Sequence, residues 1–339
     1  DLTRGEMAGN GLLSIPLCHA LERILSLGEQ AILFLNRRGF APYIYCRDCG
    51  ASFRCVSCDV ALTLHLKRGI LLCHYCGYEM PAPDCCASCQ GHRLESMGSG
   101  VERLREELHE LLGDIPIARL DRDSARTRQK LESELGRFQR GEARILVGTQ
   151  MVAKGHDFPA VTLVGVIHAD AVLNFPDFRA AERTFQLLMQ VAGRAGRGKR
   201  AGTVLIQTYS PGHYALQAVV QHDPRAFYET ELQSRRELHY PPCSFMALWR
   251  IESPHETKAQ AKGHERAEQF REILARKALP ISVLGPAAAP LARLKGRYRF
   301  QILLKSQSRS ALRELFRYCK AVQTQALQEI LDVDPFHML

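Results

Sequence analysis

Apolar runs alternate with amphipathic stretches along the first two thirds of the chain. Apolar segments of strand length occur at 31–41, 115–120, 143–149, 161–170 and 203–209. Amphipathic helical patterns lie between them, at 11–28, 101–113, 121–141 and 177–195. The apolar runs are continuous rather than alternating, which is typical of strands covered on both faces. This pattern predicts a parallel sheet flanked by helices.

The pattern changes after two predicted helices that are separated at Pro224. Strands are predicted at 245–252, 281–292, 296–305 and 330–334, the second of them broken at Pro286. Helices are predicted at 255–277 and 308–328. The resulting order β-α-β-β-α-β is that of a small ferredoxin-like α/β sandwich.

The chain thus divides into five predicted segments. They are the start of the α/β lobe (1–42), a cysteine-rich insertion (43–93), the remainder of the lobe (94–212), a helical linker (213–244) and a C-terminal α/β domain (245–339). The net charge of +9 favours polyanionic partners. The longest apolar run, VTLVGVI, is too short to span a membrane. We therefore expect a cytoplasmic protein without a membrane partner.

Eight of the twelve cysteines form four C-x-x-C pairs between residues 46 and 89. Zinc prefers four thiolates in a tetrahedron, and one C-x-x-C turn supplies two of them. Four pairs therefore predict two zinc ions, which are structural because four thiolates leave no open position for water. Glycine follows the second cysteine in CRDCG and CHYCG, and a residue that tolerates a positive φ is favourable at this position of a metal-binding turn.

The segment ALTLHLKRGILLC is a predicted hairpin that joins the second pair to the third. Each ion therefore has a predicted set of four ligands: Cys55, Cys58, Cys73 and Cys76 for the inner site, and Cys46, Cys49, Cys86 and Cys89 for the outer site. Replacement of a thiolate by His65, His74 or His92 is an alternative. The block is surrounded by basic residues, which fit either DNA or protein docking or a solvated charged surface.

The segment QVAGRAGRG places Gln190, Arg194 and Arg197 on one face of a helix, with glycines beside the arginines. A guanidinium fork suits phosphate oxygens and stabilises charge that develops on a γ-phosphate. A basic, solvated helix end is the alternative. The segment VGTQMVAKGHDFP lies between two buried strands, where α/β sheets carry their working loops. There Thr149 is placed to hold a nucleic-acid phosphate, and Asp157 to accept from a ribose hydroxyl.

These two segments resemble motifs V and VI of superfamily 2 helicases. With the cysteine block inserted after LFLNRRGFA and followed by GSGVERLREEL, the chain is similar to the PriA (primosomal protein N′) family of replication restart helicases. The resemblance implies a RecA-like second helicase lobe and a DNA-stimulated, 3′→5′ ATPase that uses ATP and Mg²⁺. It implies catalytic roles for Arg194, Arg197 and Gln190. Motif V corresponds to 148–157, with nucleotide binding by Lys154, Gly155 and Asp157 and DNA binding by Thr149 and Gln150.

The family resemblance also implies partners. They are forked and single-stranded DNA, the acidic tail of single-stranded-DNA-binding protein, other primosome proteins and the replicative helicase loading machinery, in the bacterial cytoplasm at the nucleoid. The chain contains neither G-x-x-x-x-G-K-[ST] nor D-E-x-H, so we expect no ATP hydrolysis by this chain alone. A non-catalytic, zinc-dependent docking module for DNA and proteins is the alternative function.

A basic strand, RYRFQILLK, lies in the C-terminal domain. Alternation directs Arg297, Arg299 and Gln301 to one face, and Tyr298, Phe300 and Ile302 to the other. We expect the second set to enter the core. The first set predicts a basic ridge that follows a DNA backbone, with an acidic peptide or plain solvent as alternatives.

Overall fold

A five-stranded parallel sheet forms the centre of the first two thirds of the protein. The computed structural model describes residues 1–5, 7–8, 11–35, 43–96, 101–120, 128–149, 158–193, 195, 201–336 and 338. The first elements are β1 (Met7–Ala8), β2 (Leu13–Ser14), α1 (Ile15–Ser26) and β3 (Gln30–Leu35). Helix α1 buries Leu17, Leu21 and Ile24, which lie on one face, and it ends where Gly28 takes a φ of +71°.

The cysteine module, residues 43–96, follows β3. It contains five short strands: β4 (Ile44–Cys46), β5 (Thr63–His65), β6 (Ile70–Leu72), β7 (Glu79–Pro81) and β8 (Leu94–Ser96). Strands β4 and β8, the first and last strands of the module, pair antiparallel. Strands β5 and β6 form the predicted hairpin, whose turn closes at Gly69 with a φ of +63°.

The chain then returns to the sheet. Its further elements are α2 (Val101–Leu112), β9 (Ile117–Leu120), α3 (Arg128–Gln139), β10 (Ile145–Gly148), β11 (Val161–Ile167), α4 (Asp170–Leu173), α5 (Ala180–Ala192) and β12 (Thr203–Ile206). The strand order is β12-β11-β3-β10-β9, and every pairing is parallel. One apolar core lies on each side of this sheet. The prediction of a parallel sheet flanked by helices is confirmed.

Two linker helices, α6 (Tyr214–Val220) and α7 (Pro224–Glu237), precede the last domain. That domain consists of β13 (Phe245–Ser253), α8 (Glu256–Lys277), β14 (Ile281–Leu294), β15 (Arg297–Ser306), α9 (Arg309–Tyr318) and β16 (Gln328–Val333). Its antiparallel sheet has the order β14-β15-β13-β16, which is the ferredoxin-like arrangement predicted from the sequence.

Two details of this domain differ from prediction. The helix expected at 308–328 ends at Tyr318, because Cys319 is extended and the following residues turn back onto β16. In that turn, the Glu329 N–H donates to the Val322 carbonyl at 2.8 Å. Strand β14 is not broken at Pro286, since a shift in register between Leu284 and Ala287 accommodates the proline on an edge strand.

The two faces of the C-terminal sheet have different neighbours. Residues such as Trp249, Ile251 and Ile302 pack against α8 and α9. Met246, Leu248 and Leu303 instead join an apolar core with the cysteine module. Among the described residues, none of the helices combines the length and the apolar character that a membrane crossing requires.

Candidate metal centres and candidate nucleotide-binding edge

All four C-x-x-C pairs close the same backbone turn. In each turn, the N–H four residues after the first cysteine donates to that cysteine's carbonyl at 2.9 Å. The first cysteine's own N–H donates to a carbonyl five residues further on, at 2.8 or 2.9 Å. The residue after the second cysteine has positive φ every time: Gly50, Asp59, Gly77 and Gln90. The two glycines were predicted, whereas Asp59 and Gln90 take the same conformation without that signal.

The structure brings the eight paired sulfurs into two groups of four. The predicted outer site, called the distal cluster from here on, consists of Cys46, Cys49, Cys86 and Cys89. The predicted inner site, called the central cluster, consists of Cys55, Cys58, Cys73 and Cys76. Within each cluster all sulfurs lie within 4.8 Å of one another, and the closest Sγ–Sγ distances are 3.6 Å. A tetrahedron of sulfurs around zinc has edges of about 3.8 Å, given Zn–S bonds of about 2.3 Å.

Backbone donors also point at the sulfurs. The N–H groups of Tyr78 and Ser88 lie 3.4 Å from the Sγ atoms of Cys76 and Cys86, where they favour the thiolate form. The donor set, its spacing and these hydrogen bonds fit a structural zinc ion in each cluster. The protein would hold both ions with cysteine alone, and such an ion supplies folding energy rather than chemistry.

The three histidines of the module lie outside both clusters. Burial lowers the pKa of His74 to about 4, so its ring is neutral, and Nδ1 lies 2.8 Å from the Ala288 carbonyl of β14. The ring of His65 lies 5.3 Å from that of His74, and Nδ1 of His92 contacts the Asp84 carbonyl. None of the three therefore stands in for a thiolate in this geometry.

The surroundings of the two clusters differ. The central cluster lies inside an apolar core that the module shares with the lobe, the linker and the C-terminal sheet. In the distal cluster, Cys49 and Cys89 are exposed. The described arginines of the basic rim are paired with acids: Arg47 with Glu95, Arg54 with Asp59, and Arg68 with Glu79, at 2.8 to 2.9 Å. These pairs favour the solvated-surface interpretation of the rim.

Motif V begins at the carboxyl edge of the parallel sheet. Gly148 ends β10, and the Thr149 N–H donates to the Leu120 carbonyl of the adjacent strand β9 at 3.1 Å. Gln150, Lys154, Gly155 and Asp157 lie outside the described residues. The described part of the motif therefore starts where an α/β sheet binds its ligands.

Motif VI begins on helix α5. Gln190 lies on this helix with an exposed side chain, three residues before the helix gives way to Gly193. Arg194 and Arg197 lie outside the described residues. The catalytic roles of these three residues stay predictions.

The exposed basic ridge predicted on β15 is not present. Arg299 is 4% exposed and lies 3.3 Å from the Glu252 carboxylate, while Arg297 donates to the carbonyls of Glu252 and Gln325. Gln301 donates to the His74 carbonyl at 2.8 Å. This face of the sheet packs against the cysteine module instead of solvent, so Arg297 and Arg299 do not form an exposed DNA-binding ridge. The other face enters the core as expected.

Sequence reasoning also missed the residues that join the domains. The Tyr75 hydroxyl accepts from the Phe178 N–H at 3.1 Å, and the Tyr240 hydroxyl donates to the Cys58 carbonyl at 2.8 Å. Tyr75 lies between two cysteines of the central cluster, and an aromatic residue inside a C-x-x-C pair was the available signal.

Three family models match the chain. They are the primosomal protein N C-terminal domain at residues 236–336, the PriA DNA helicase Cys-rich region at 55–81 and the helicase conserved C-terminal domain at 89–199. The second of these spans the central cluster and its hairpin. The third spans both helicase-like motifs.

Curated relatives cover nearly the whole chain. The replication restart protein PriA of Bacillus subtilis is 42% identical over 334 residues, which are 97% of this chain and 41% of that protein. The protein of the same name from Haemophilus influenzae is 40% identical over 96% of this chain and 44% of its own length. The chain thus spans less than half the length of these two relatives. A solved structure, S. cerevisiae Dbp5 L327V bound to RNA and ADP BeF3, aligns with 64% of this chain and 40% of its own length at 13% identity, with a TM-score of 0.32.

Proposed function

The chain belongs to the PriA family of replication restart proteins, and from this premise we propose that it supplies the second lobe of an ATP-dependent DNA helicase. The complete protein would unwind DNA 3′→5′ at abandoned forks and assemble the primosome. The observation that carries this proposal is the joint presence of the helicase lobe, the two four-cysteine clusters and the C-terminal domain in one chain.

The proposed chemistry is divided among residues of the sheet edge and of helix α5. ATP with Mg²⁺, when bound by the complete protein, supplies the γ-phosphate whose transfer drives movement. Arg194 and Arg197 would stabilise the charge that spreads over that phosphate, and Gln190 would lie beside them in the active site. Lys154, Gly155 and Asp157 would contact the nucleotide. Thr149 and Gln150 would contact the DNA backbone, which carries no sequence information.

Partners and location follow from the same proposal. Forked and single-stranded DNA would be the substrates, and the acidic tail of single-stranded-DNA-binding protein, other primosome proteins and the helicase loading machinery would be protein partners. The protein would act in the bacterial cytoplasm at the nucleoid. Both zinc ions would serve the fold of the module rather than the reaction.

Substitution of an arginine finger tests the catalytic part. In the complete protein, Arg197→Ala should lower DNA-stimulated ATP turnover by about 10³-fold or more, because an arginine finger contributes that much to phosphoryl transfer. DNA binding, measured by fluorescence anisotropy with a labelled fork, should stay within about two-fold of wild type. Turnover that survives the substitution would remove Arg197 from the active site.

The second candidate is a non-catalytic docking module for DNA and proteins. It is favoured by one observation, which is that this chain contains no nucleotide-binding G-x-x-x-x-G-K-[ST] loop. Binding of this chain to a fork, a duplex and a single strand across a salt series separates the two. Fork preference that survives moderate salt supports docking by this chain itself, whereas equal and salt-labile binding assigns recognition to the rest of the protein.

A further inference from the structure

The C-H-Y-C turn of the central cluster contacts two different domains. His74 faces the C-terminal domain, where Nδ1 donates to the Ala288 carbonyl and the His74 carbonyl accepts from Gln301, both at 2.8 Å. Tyr75 faces the helicase lobe, where its hydroxyl accepts from the Phe178 N–H. Adjacent residues of one turn therefore join the C-terminal sheet to the lobe.

The other turn of the central cluster reaches the same phenylalanine. The Tyr240 hydroxyl donates to the Cys58 carbonyl, and its ring stacks on that of Phe178 with centroids 4.8 Å apart and planes 6° apart. Tyr75 itself is fully buried, so its hydroxyl has no access to bulk water as an alternative partner. Both halves of the central cluster thus hold Phe178.

Phe178 lies two residues before the first residue of α5. Asp177 accepts from the Arg179 N–H and pairs with Arg183, which fixes the first turn of the helix. The start of α5 is held from two further sides: Arg235 of α7 pairs with Glu182 at 2.7 Å, and Arg179 and Arg183 both donate to the Phe336 carbonyl. The module, the linker and the C-terminal domain therefore all act on one end of this helix.

The other end of α5 carries motif VI. The helix has 13 residues, which corresponds to a length of about 20 Å. Phe185, Leu188 and Val191 bury one side of it in the core of the lobe, so the helix would respond to a displacement as a rigid element rather than by bending. Gln190 is exposed near its end, and Arg194 follows in sequence. A displacement at Phe178 would in this way reach Gln190, where motif VI begins.

We propose that Tyr75 is a positioning residue, which couples the cysteine module and the C-terminal domain to helix α5 and so sets how strongly DNA raises ATP turnover. This inference rests on the proposed helicase function. Tyr75 would act through the Phe178 backbone rather than by contact with nucleotide or DNA.

The test compares Tyr75→Phe with Tyr78→Phe in the complete protein. Both changes remove one hydroxyl from the same module, but the Tyr78 side chain is exposed (38%), and its substitution keeps the backbone N–H that contacts the Cys76 sulfur. Tyr75→Phe should lower the maximal fork-stimulated ATP turnover about five-fold, which is the lower range of allosteric coupling. The fork concentration for half-maximal stimulation and the content of two zinc ions per chain should not change. Tyr78→Phe should match wild type in every measurement.

Hydrogen exchange supplies a readout that is independent of turnover. The Phe178 amide should exchange faster in Tyr75→Phe and at the wild-type rate in Tyr78→Phe. Equal turnover for Tyr75→Phe and wild type would overturn the inference, and so would a loss that appears only as weaker fork binding. If Tyr75→Phe loses zinc, Tyr240→Phe replaces it as the test variant. Tyr240→Phe removes the hydrogen bond to the Cys58 carbonyl and keeps the ring that stacks on Phe178. Absence of DNA-stimulated turnover in wild type would instead refute the proposed function.

Discussion

The distal and central clusters are built from the same C-x-x-C turn, with the same backbone hydrogen bonds and the same positive φ after the second cysteine. Their surroundings are opposite. The central cluster shares its core with residues of three other segments, whereas the distal cluster exposes two of its four cysteines. Identical metal-binding turns can therefore serve one fold differently, since what an ion stabilises depends on what packs around it.

The largest expected difference between the clusters is in stability. Cys73→Ser removes a fully buried ligand of the central cluster, and we expect it to abolish one zinc site and lower the free energy of unfolding by more than about 5 kcal/mol. The core that joins the module to the C-terminal sheet should unfold with it. Zinc content by mass spectrometry and thermal unfolding by circular dichroism check both effects.

The matched control is Cys49→Ser in the distal cluster. It should also remove one zinc ion, but should lower the free energy of unfolding by less than about 2 kcal/mol, because Cys49 is exposed and the apolar core around the central cluster stays intact. Similar losses in the two variants would mean that burial does not distinguish the clusters.

How far the sequence predicts this arrangement depends on the kind of signal. Spacing and the hairpin at Gly69 were enough to group the cysteines, because both are local. The position of the central cluster under the C-terminal sheet was not predicted, since it depends on a contact between distant segments. On β15, alternation correctly predicted which residues share a face. The prediction that the face with Arg299 and Gln301 is exposed to solvent was wrong, because both residues are buried.

A signal for the covered face did exist on the neighbouring strand. Residues Met246–Trp249 of β13 form a continuous apolar run and are buried on both sides. Such a run in an antiparallel strand indicates cover on both faces. The polar residues of β15 then require partners inside, and Glu252 and the His74 carbonyl provide them. The identity of the covering element still required the structure.

A smaller effect is expected from glycines in the two clusters, and it refines the comparison. Gly50 and Gly77 occupy equivalent positions, with φ of +77° and +83°. A β-carbon on Gly50 would overlap the Tyr209 carbonyl of the lobe, whereas one on Gly77 would lie 3.4 Å from the Pro286 carbonyl. The distal cluster is therefore pressed closely against the lobe at Gly50, despite its exposed cysteines.

Alanine substitutions measure this difference. Gly77→Ala should destabilise the protein by about 1–2 kcal/mol through its φ alone, and Gly50→Ala by about 3 kcal/mol or more, since the overlap adds to that strain. Urea unfolding of the two variants gives both values. Equal destabilisation would show that Tyr209 shifts to make room for the added methyl group, and that its contact with Gly50 does not constrain the turn of the distal cluster.

The smallest effect concerns zinc release from the folded protein. A chelator must reach the sulfurs, and Cys49 and Cys89 are exposed while three of the four central cysteines are buried. We expect a strong chelator to remove the two ions in two phases, the first about ten-fold faster, which corresponds to a difference of about 1.4 kcal/mol in local opening. Absorbance of a metallochromic dye follows the release.

In Cys49→Ser the fast phase should disappear and the slow phase should keep its rate, because the central cluster opens only when the C-terminal sheet separates from the module. A single phase in wild type would mean that both clusters open together, and that the module unfolds as one unit despite the difference in burial.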